Sequence, residues 1–146
     1  MNDYEKEYEK VEQFLAEHGL MLDIRANGTA IDPFRDTVFD PIRDGEGPKF
    51  HQYECLLRGP GQDFVFPFYT GMGWTHDPRP GDVMSSIQMD CRSGDMALAD
   101  FIGEFGYEDK QRGRLVWNAC KANQQGIAAA MGAKAFRAFM KLEIEL

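Results

Sequence analysis

His76 and Asp77 stand side by side in the proline-rich stretch Thr75-His-Asp-Pro-Arg-Pro80. A carboxylate next to an imidazole can orient it for proton transfer, so this pair is the first candidate for acid–base chemistry. No serine or cysteine is placed beside it by motif, and His18 and His51 lie far away along the chain without an i,i+4 partner. A surface histidine in a loop competes with the proton shuttle as an explanation. Gly71-Met-Gly73 follows an apolar run, as phosphate-binding glycines do. It lacks a third glycine, a Lys-Ser/Thr pair and an immediate helix start, which leaves a tight strand exit. Asp32, Asp36, Asp40 and Asp44 recur every fourth residue. A calcium loop needs oxygen ligands at alternate positions around a glycine turn, and this spacing does not supply them. Nothing separates an acid from a base among these carboxylates, as paired-carboxylate glycoside hydrolysis requires. No catalytic residue, metal site or cofactor is therefore assigned.

The elements that hold these residues are read from periodicity and punctuation. Asp3 caps a first helix running to about His18, with Gly19 as its stop. Tyr4, Tyr8, Val11 and Leu15 form its apolar stripe with Phe14 beside it, and Glu5, Lys6, Glu9 and Glu12 face away. Leu20 to Ile24 reads as a short strand ended by the turn dipeptide Asn27-Gly28. Residues 31–49 carry two near copies of one hexamer, Ile31-Asp-Pro-Phe-Arg-Asp36 and Phe39-Asp-Pro-Ile-Arg-Asp44, followed by the loop Gly45-Glu-Gly-Pro48. Lys49–Arg58 and Gln62–Tyr69 form a hairpin through Gly59-Pro-Gly61. Phe64, Phe66 and Phe68 share one face of it, and Pro67, which lacks a donor, places that arm at a sheet edge.

The rest of the chain is helical. Asp82 caps Val83 to about Cys91, and Ala97–Phe105 turns Leu98, Phe101 and Phe105 inward before Gly106. Asp109 to about Asn123 follows, and Ala133–Leu142 closes the chain with Phe136, Phe139 and Met140. Gly126 and Gly132 weigh against one continuous helix after Asn123. The order predicts one α+β domain over residues 1–146. Its small antiparallel sheet, the hairpin at about 49–69, packs against the N-terminal helix and a C-terminal helical half.

The chain has 146 residues, 43% of them hydrophobic, enough to bury a core without disulfide or metal staples. No run approaches the ~18 apolar residues of a membrane span, and the acidic N-terminus lacks a signal-peptide pattern. Cys55, Cys91 and Cys120 make an odd, widely spaced set, which fits reduced thiols in a cytoplasmic setting and core positions on apolar faces. Residues 1–66 carry 14 acidic against 7 basic side chains, and residues 67–146 carry 10 against 9. Nearly all of the net charge of −8 thus sits in the N-terminal half, which disfavours direct nucleic-acid binding and either favours a basic partner surface or merely serves solubility.

Phe66-Pro-Phe-Tyr-Thr-Gly-Met-Gly73, Asp82-Val83, Asp100-Phe101, Glu104-Phe-Gly-Tyr107 and the charged helix Asp109–Cys120 resemble the outline of a family of small, mostly uncharacterised proteins encoded by phages and prophages. The resemblance covers residues 50–120 and departs at the doubled hexamer of residues 31–48. It carries over no functional residue. It implies a host-directed or anti-defence role in a bacterial cytoplasm, anti-CRISPR inhibition included.

Three function classes follow. The leading expectation is a non-enzymatic inhibitor that docks on a host protein or nucleoprotein complex with a basic surface. Its contact residues would be an acidic rail of Asp32, Asp36, Asp40, Asp44 and Glu46 with Glu5, Glu9 and Glu12 of the first helix. The competing reading of the four aspartates is a solvated loop in which they cap turns and pair with Arg35 and Arg43. Tyr69 and Trp74, flanking the glycine hinge, would be either interface anchors or a lid over the core. The alternative is a small enzyme with a site near the Gly71–Asp82 loop. The third is a self-associating module, a homodimer through the Pro67 strand edge or the Phe136/Phe139 helix.

Overall fold

A computed structural model describes residues 2–30 and 50–146. The doubled hexamer, and with it Asp32, Asp36, Asp40, Asp44 and Glu46, lies outside the described residues. The elements follow as α1 (Asp3–Glu17), β1 (Met21–Ala30), β2 (Phe50–Arg58), β3 (Phe64–Gly71), α2 (Pro80–Asp95), α3 (Leu98–Phe105), α4 (Lys110–Met131) and α5 (Ala133–Lys141). The fold is α+β: a three-stranded antiparallel sheet in the order β1-β2-β3, an N-terminal helix and a C-terminal helical half. Among the described residues no helix is long and apolar enough to cross a membrane.

The β2–β3 hairpin sets which side chains face the helices. Leu57 pairs with Phe64, Cys55 with Phe66, Tyr53 with Phe68 and His51 with Thr70. Because side chains alternate, those eight share one face, and Tyr53, Cys55, Leu57 and Phe66 are buried in the core. Leu56 and Val65 stand opposite each other on the other face, where Val65 is exposed. Pro67 sits on β3, an edge strand as its missing donor demands. Strand β1 is longer than its sequence suggests. Asn27-Gly28 does not end it: Ala26 faces Tyr53 and Thr29 faces His51, so one extra residue is accommodated as a bulge, with Gly28 at φ +75°.

Helices α1, α2, α4 and α5 close the core over this face with Val11, Phe14, Val83, Met84, Ile87, Ile127, Met131 and Phe139. Burying side chains of this kind contributes ~1.5–3 kcal/mol each. Helix α4 runs unbroken through Gly126, a position held to glycine because a Cβ there would overlap the Phe64 ring that lies against it. The chain breaks instead at Gly132, φ +86°, where α5 begins. The hairpin turn also needs glycine, since a Cβ on Gly59 or Gly61 would collide with the carbonyl oxygens of Ala130 and Ala129. The approach lets Gly61 N–H donate to Ala130 O at 3.1 Å, satisfying an orphan carbonyl at the end of α4.

Several sequence expectations shift by a residue or a face. The α1 cap is Asn2, whose Oδ1 accepts from Glu5 N–H at 2.8 Å, and Asp3 occupies the first turn. Helix α2 starts earlier than Asp82: Pro80 takes its first turn, and Asp82 accepts from the Arg79 backbone N–H at 2.9 Å. Tyr4 is exposed rather than part of the α1 stripe, and Phe105 is half exposed while Phe101 is buried. Phe139 is fully buried in the core, and Phe136 packs against it partly buried.

Polar side chains tie the helices together. At the end of α2, Lys121 Nζ donates to Gly94 O at 2.9 Å and Gln124 Nε2 to Cys91 O at 3.2 Å and to Asp95. Trp117 Nε1–H donates to Met96 O at 3.0 Å, and Asn123 donates to Asp90 at 3.1 Å. The buried Gln88 donates to Phe139 O at 2.8 Å and Leu142 O at 2.7 Å, serving the last turn of α5. Each bond lands on a carbonyl near a helix end or on an adjacent carboxylate.

Candidate binding site at the glycine-hinged loop

The connection from β3 to α2 is an exposed loop fixed at both ends. At its start Trp74 N–H donates to Gly71 O at 3.0 Å, closing a tight turn over Met72 and Gly73. Residues 71–77 are all exposed, Met72 to 53% and Trp74 to 39%. At its end Pro78 is buried and Arg79 is clamped onto α1. Arg79 Nη1 meets Glu5 at 3.1 Å, Nη2 meets Glu12 at 3.1 Å, and the guanidinium carbon lies 4.1 Å from the centre of the Tyr8 ring. Tyr8 Oη in turn donates to Asp82 Oδ1 at 2.8 Å. Burial and then that hydrogen bond raise the Tyr8 phenol to about 12, and the bonds to Glu5 and Glu12 raise Arg79 above its ordinary value.

Between these ends the loop walls a cleft of about 410 Å³ with β2, lined by His51, Tyr53, Trp74, Thr75, His76 and Asp77. The Trp74 and His76 rings lie 4.7 Å apart, tilted by 40°, so the indole is held by its neighbour while staying exposed. Asp77 makes no hydrogen bond or ion pair among the described residues. Thr70, cross-strand neighbour of His51, is buried with a hydroxyl that has no partner among the described residues. Among the described residues no lysine or arginine lines the cleft.

The fold brings together two of the three histidines that the sequence separates. His51 comes from β2 and His76 from the loop, while His18 stacks on Phe14 at the end of α1, 4.5 Å between centroids. Sequence reasoning missed His51 and Tyr53 as neighbours of Trp74. The signal was available in the hairpin itself: closing it over residues 59–63 sets His51 opposite Thr70, one residue from the hinge.

The acidic residues of α1 behave differently from the solvated rail expected of them. Glu5 and Glu12 turn onto Arg79, and of the three only Glu9 stays fully exposed. Tyr69 is half-exposed opposite Gln52 on the sheet's outer face, away from the helices, and Trp74 is on the surface rather than a lid on the core.

The three thiols are placed in the core, away from this loop. Cys55, Cys91 and Cys120 are all buried, and burial pushes each thiol up to about 12. Among the described residues no group of three or more His, Cys, Asp or Glu side chains is arranged to hold a metal ion. No protein-family model, curated protein or solved structure matches this chain.

Proposed function

We propose that this chain is a stoichiometric binding protein of phage or mobile-element type. It acts in the bacterial cytoplasm on a host protein or nucleoprotein complex with a basic surface, as an anti-defence inhibitor of the anti-CRISPR kind does. The observation that carries the reading is the loop at residues 71–77, which presents Met72 and Trp74 to solvent between two fixed ends. An exposed aromatic on a pre-ordered loop contributes contact area at little entropic cost on binding. The charge of residues 1–66 supports a basic partner, and the resemblance over residues 50–120 supports the phage setting.

The test is capture of partners by tagged protein from bacterial lysate carrying defence complexes, at low and high salt. A nucleic-acid-binding complex retained at low salt and shed at high salt supports the reading. Capture of nothing at either salt overturns it. Reversing the charge of Asp32, Asp36, Asp40 and Asp44 together is expected to weaken capture with helicity unchanged, and undiminished capture would remove the acidic rail.

A second reading has one observation behind it: His51, His76 and Asp77 share a cleft. As an acid–base site it would have to work without a cysteine nucleophile, since the three thiols are buried elsewhere. Turnover that survives His76→Ala would remove that reading.

A further inference from the structure

We infer that the cleft between β2 and the hinge loop receives a single arginine side chain of the partner, stacked on Trp74 and paired with Asp77. The inference deepens the binding reading above and rests on it for the identity of the partner. The lining selects the ligand class. An anion would meet the Asp77 carboxylate and, among the described residues, find no lysine or arginine in the lining to hold it. A purely apolar group would use the Trp74 face alone and make nothing of the Asp77 carboxylate or the Tyr53 and Thr75 hydroxyls that open onto the same depression. A guanidinium satisfies all of them: its plane stacks on the indole, and its five N–H groups reach a carboxylate and neighbouring oxygens together.

Two features favour a built receptor over an incidental dent. The Trp74 ring lies against His76 at 4.7 Å, a contact that narrows the freedom of the indole. Asp77 is unspent among the described residues, whereas Glu5, Glu12 and Asp82, which surround the neighbouring Arg79, are all engaged. The molecule already contains the arrangement in intramolecular form at that site, where the Arg79 guanidinium lies over the Tyr8 ring between two glutamates. The Trp74–Asp77 cleft repeats an aromatic face and a carboxylate without the arginine.

The experiment is an NMR titration of the isotopically labelled full chain with acetyl-Gly-Arg-Gly-amide and with the same peptide carrying citrulline, which keeps the shape and removes the charge. Expected are saturating shifts of the Trp74 indole N–H and the amides of residues 75–77 with the arginine peptide and none with citrulline. Asp77→Asn should weaken the binding about fivefold and Trp74→Leu by a similar factor. Equal shifts with citrulline, shifts that map away from residues 51–53 and 74–77, or no saturation with either peptide would overturn the assignment. Peptide binding together with an empty lysate capture would keep the cleft and sink the host-complex reading; the reverse would sink the cleft alone.

Discussion

The seam between α2 and α4 and the loop between β3 and α2 use the same kinds of side chain for opposite ends. In the seam, Trp117, Lys121, Asn123 and Gln124 each donate to a helix-end carbonyl or a carboxylate a few ångströms away. In the loop, Trp74, His76 and Asp77 face solvent, and the carboxylate has no partner among the described residues. Polar groups whose hydrogen bonds are made inside the molecule specify the packing; those left unmade at a fixed surface are free to specify a partner. The contrast separates stability from recognition, and substitutions can break it at either side.

The largest loss is expected at Gly126→Leu, whose side chain would collide with the Phe64 ring. Overpacking of this kind costs ~3 kcal/mol, or about 10 °C in the melting temperature at this chain length. Thermal unfolding followed by circular dichroism reads it directly. Gln88→Leu comes next: it removes both side-chain bonds to the end of α5, leaving Leu142 O without its buried donor while Phe139 O keeps the Leu142 N–H, and is expected to cost about 2 kcal/mol in chemical denaturation. Arg79→Gln removes two half-exposed ion pairs and is expected to cost about 1 kcal/mol, while loosening the end of the hinge loop in hydrogen exchange.

How far the sequence anticipates this division depends on the range of the contact. The hairpin and its buried face were legible, because Phe64, Phe66 and Phe68 alternate with Val65 and Pro67 over a fixed turn. Helix existence was legible as well, and the caps missed by small steps for a local reason. Asp82 has the chemistry of a cap residue, but Pro80 fits the first turn, so the aspartate serves the same end of the helix from inside. Asn27-Gly28 suits a turn or a bulge equally, and only the strand that continues to Ala30 against Phe50 decides. Glu5 and Glu12 looked like a solvated face because helical periodicity registers apolar residues, and nothing local announces an arginine some 70 residues away. The cleft was illegible for the same reason, since His51 and His76 meet only when the sheet forms.

Two smaller effects sharpen the contrast. The backbone N–H of Glu145 and the Lys10 ammonium hold Glu7 below its ordinary value. A depressed carboxylate contributes stability above its unfolded value near 4.5, and the contribution is lost as pH falls through the lower folded value. The tail after α5 is therefore expected to come away from α1 in that acidic window, with amide exchange at Glu145 rising before the core responds. Cys55, Cys91 and Cys120 should resist alkylation in the native state at neutral pH and all react once the chain is unfolded.

The most direct test of the division is the amount of partner complex that Trp74→Ala retains in the low-salt capture, relative to wild type. Because Trp74 is exposed and outside the core, the variant should melt within about 0.5 kcal/mol of wild type and lose most of the partner. Full retention at unchanged stability would contradict the account, because the loop would then be neither structure nor interface.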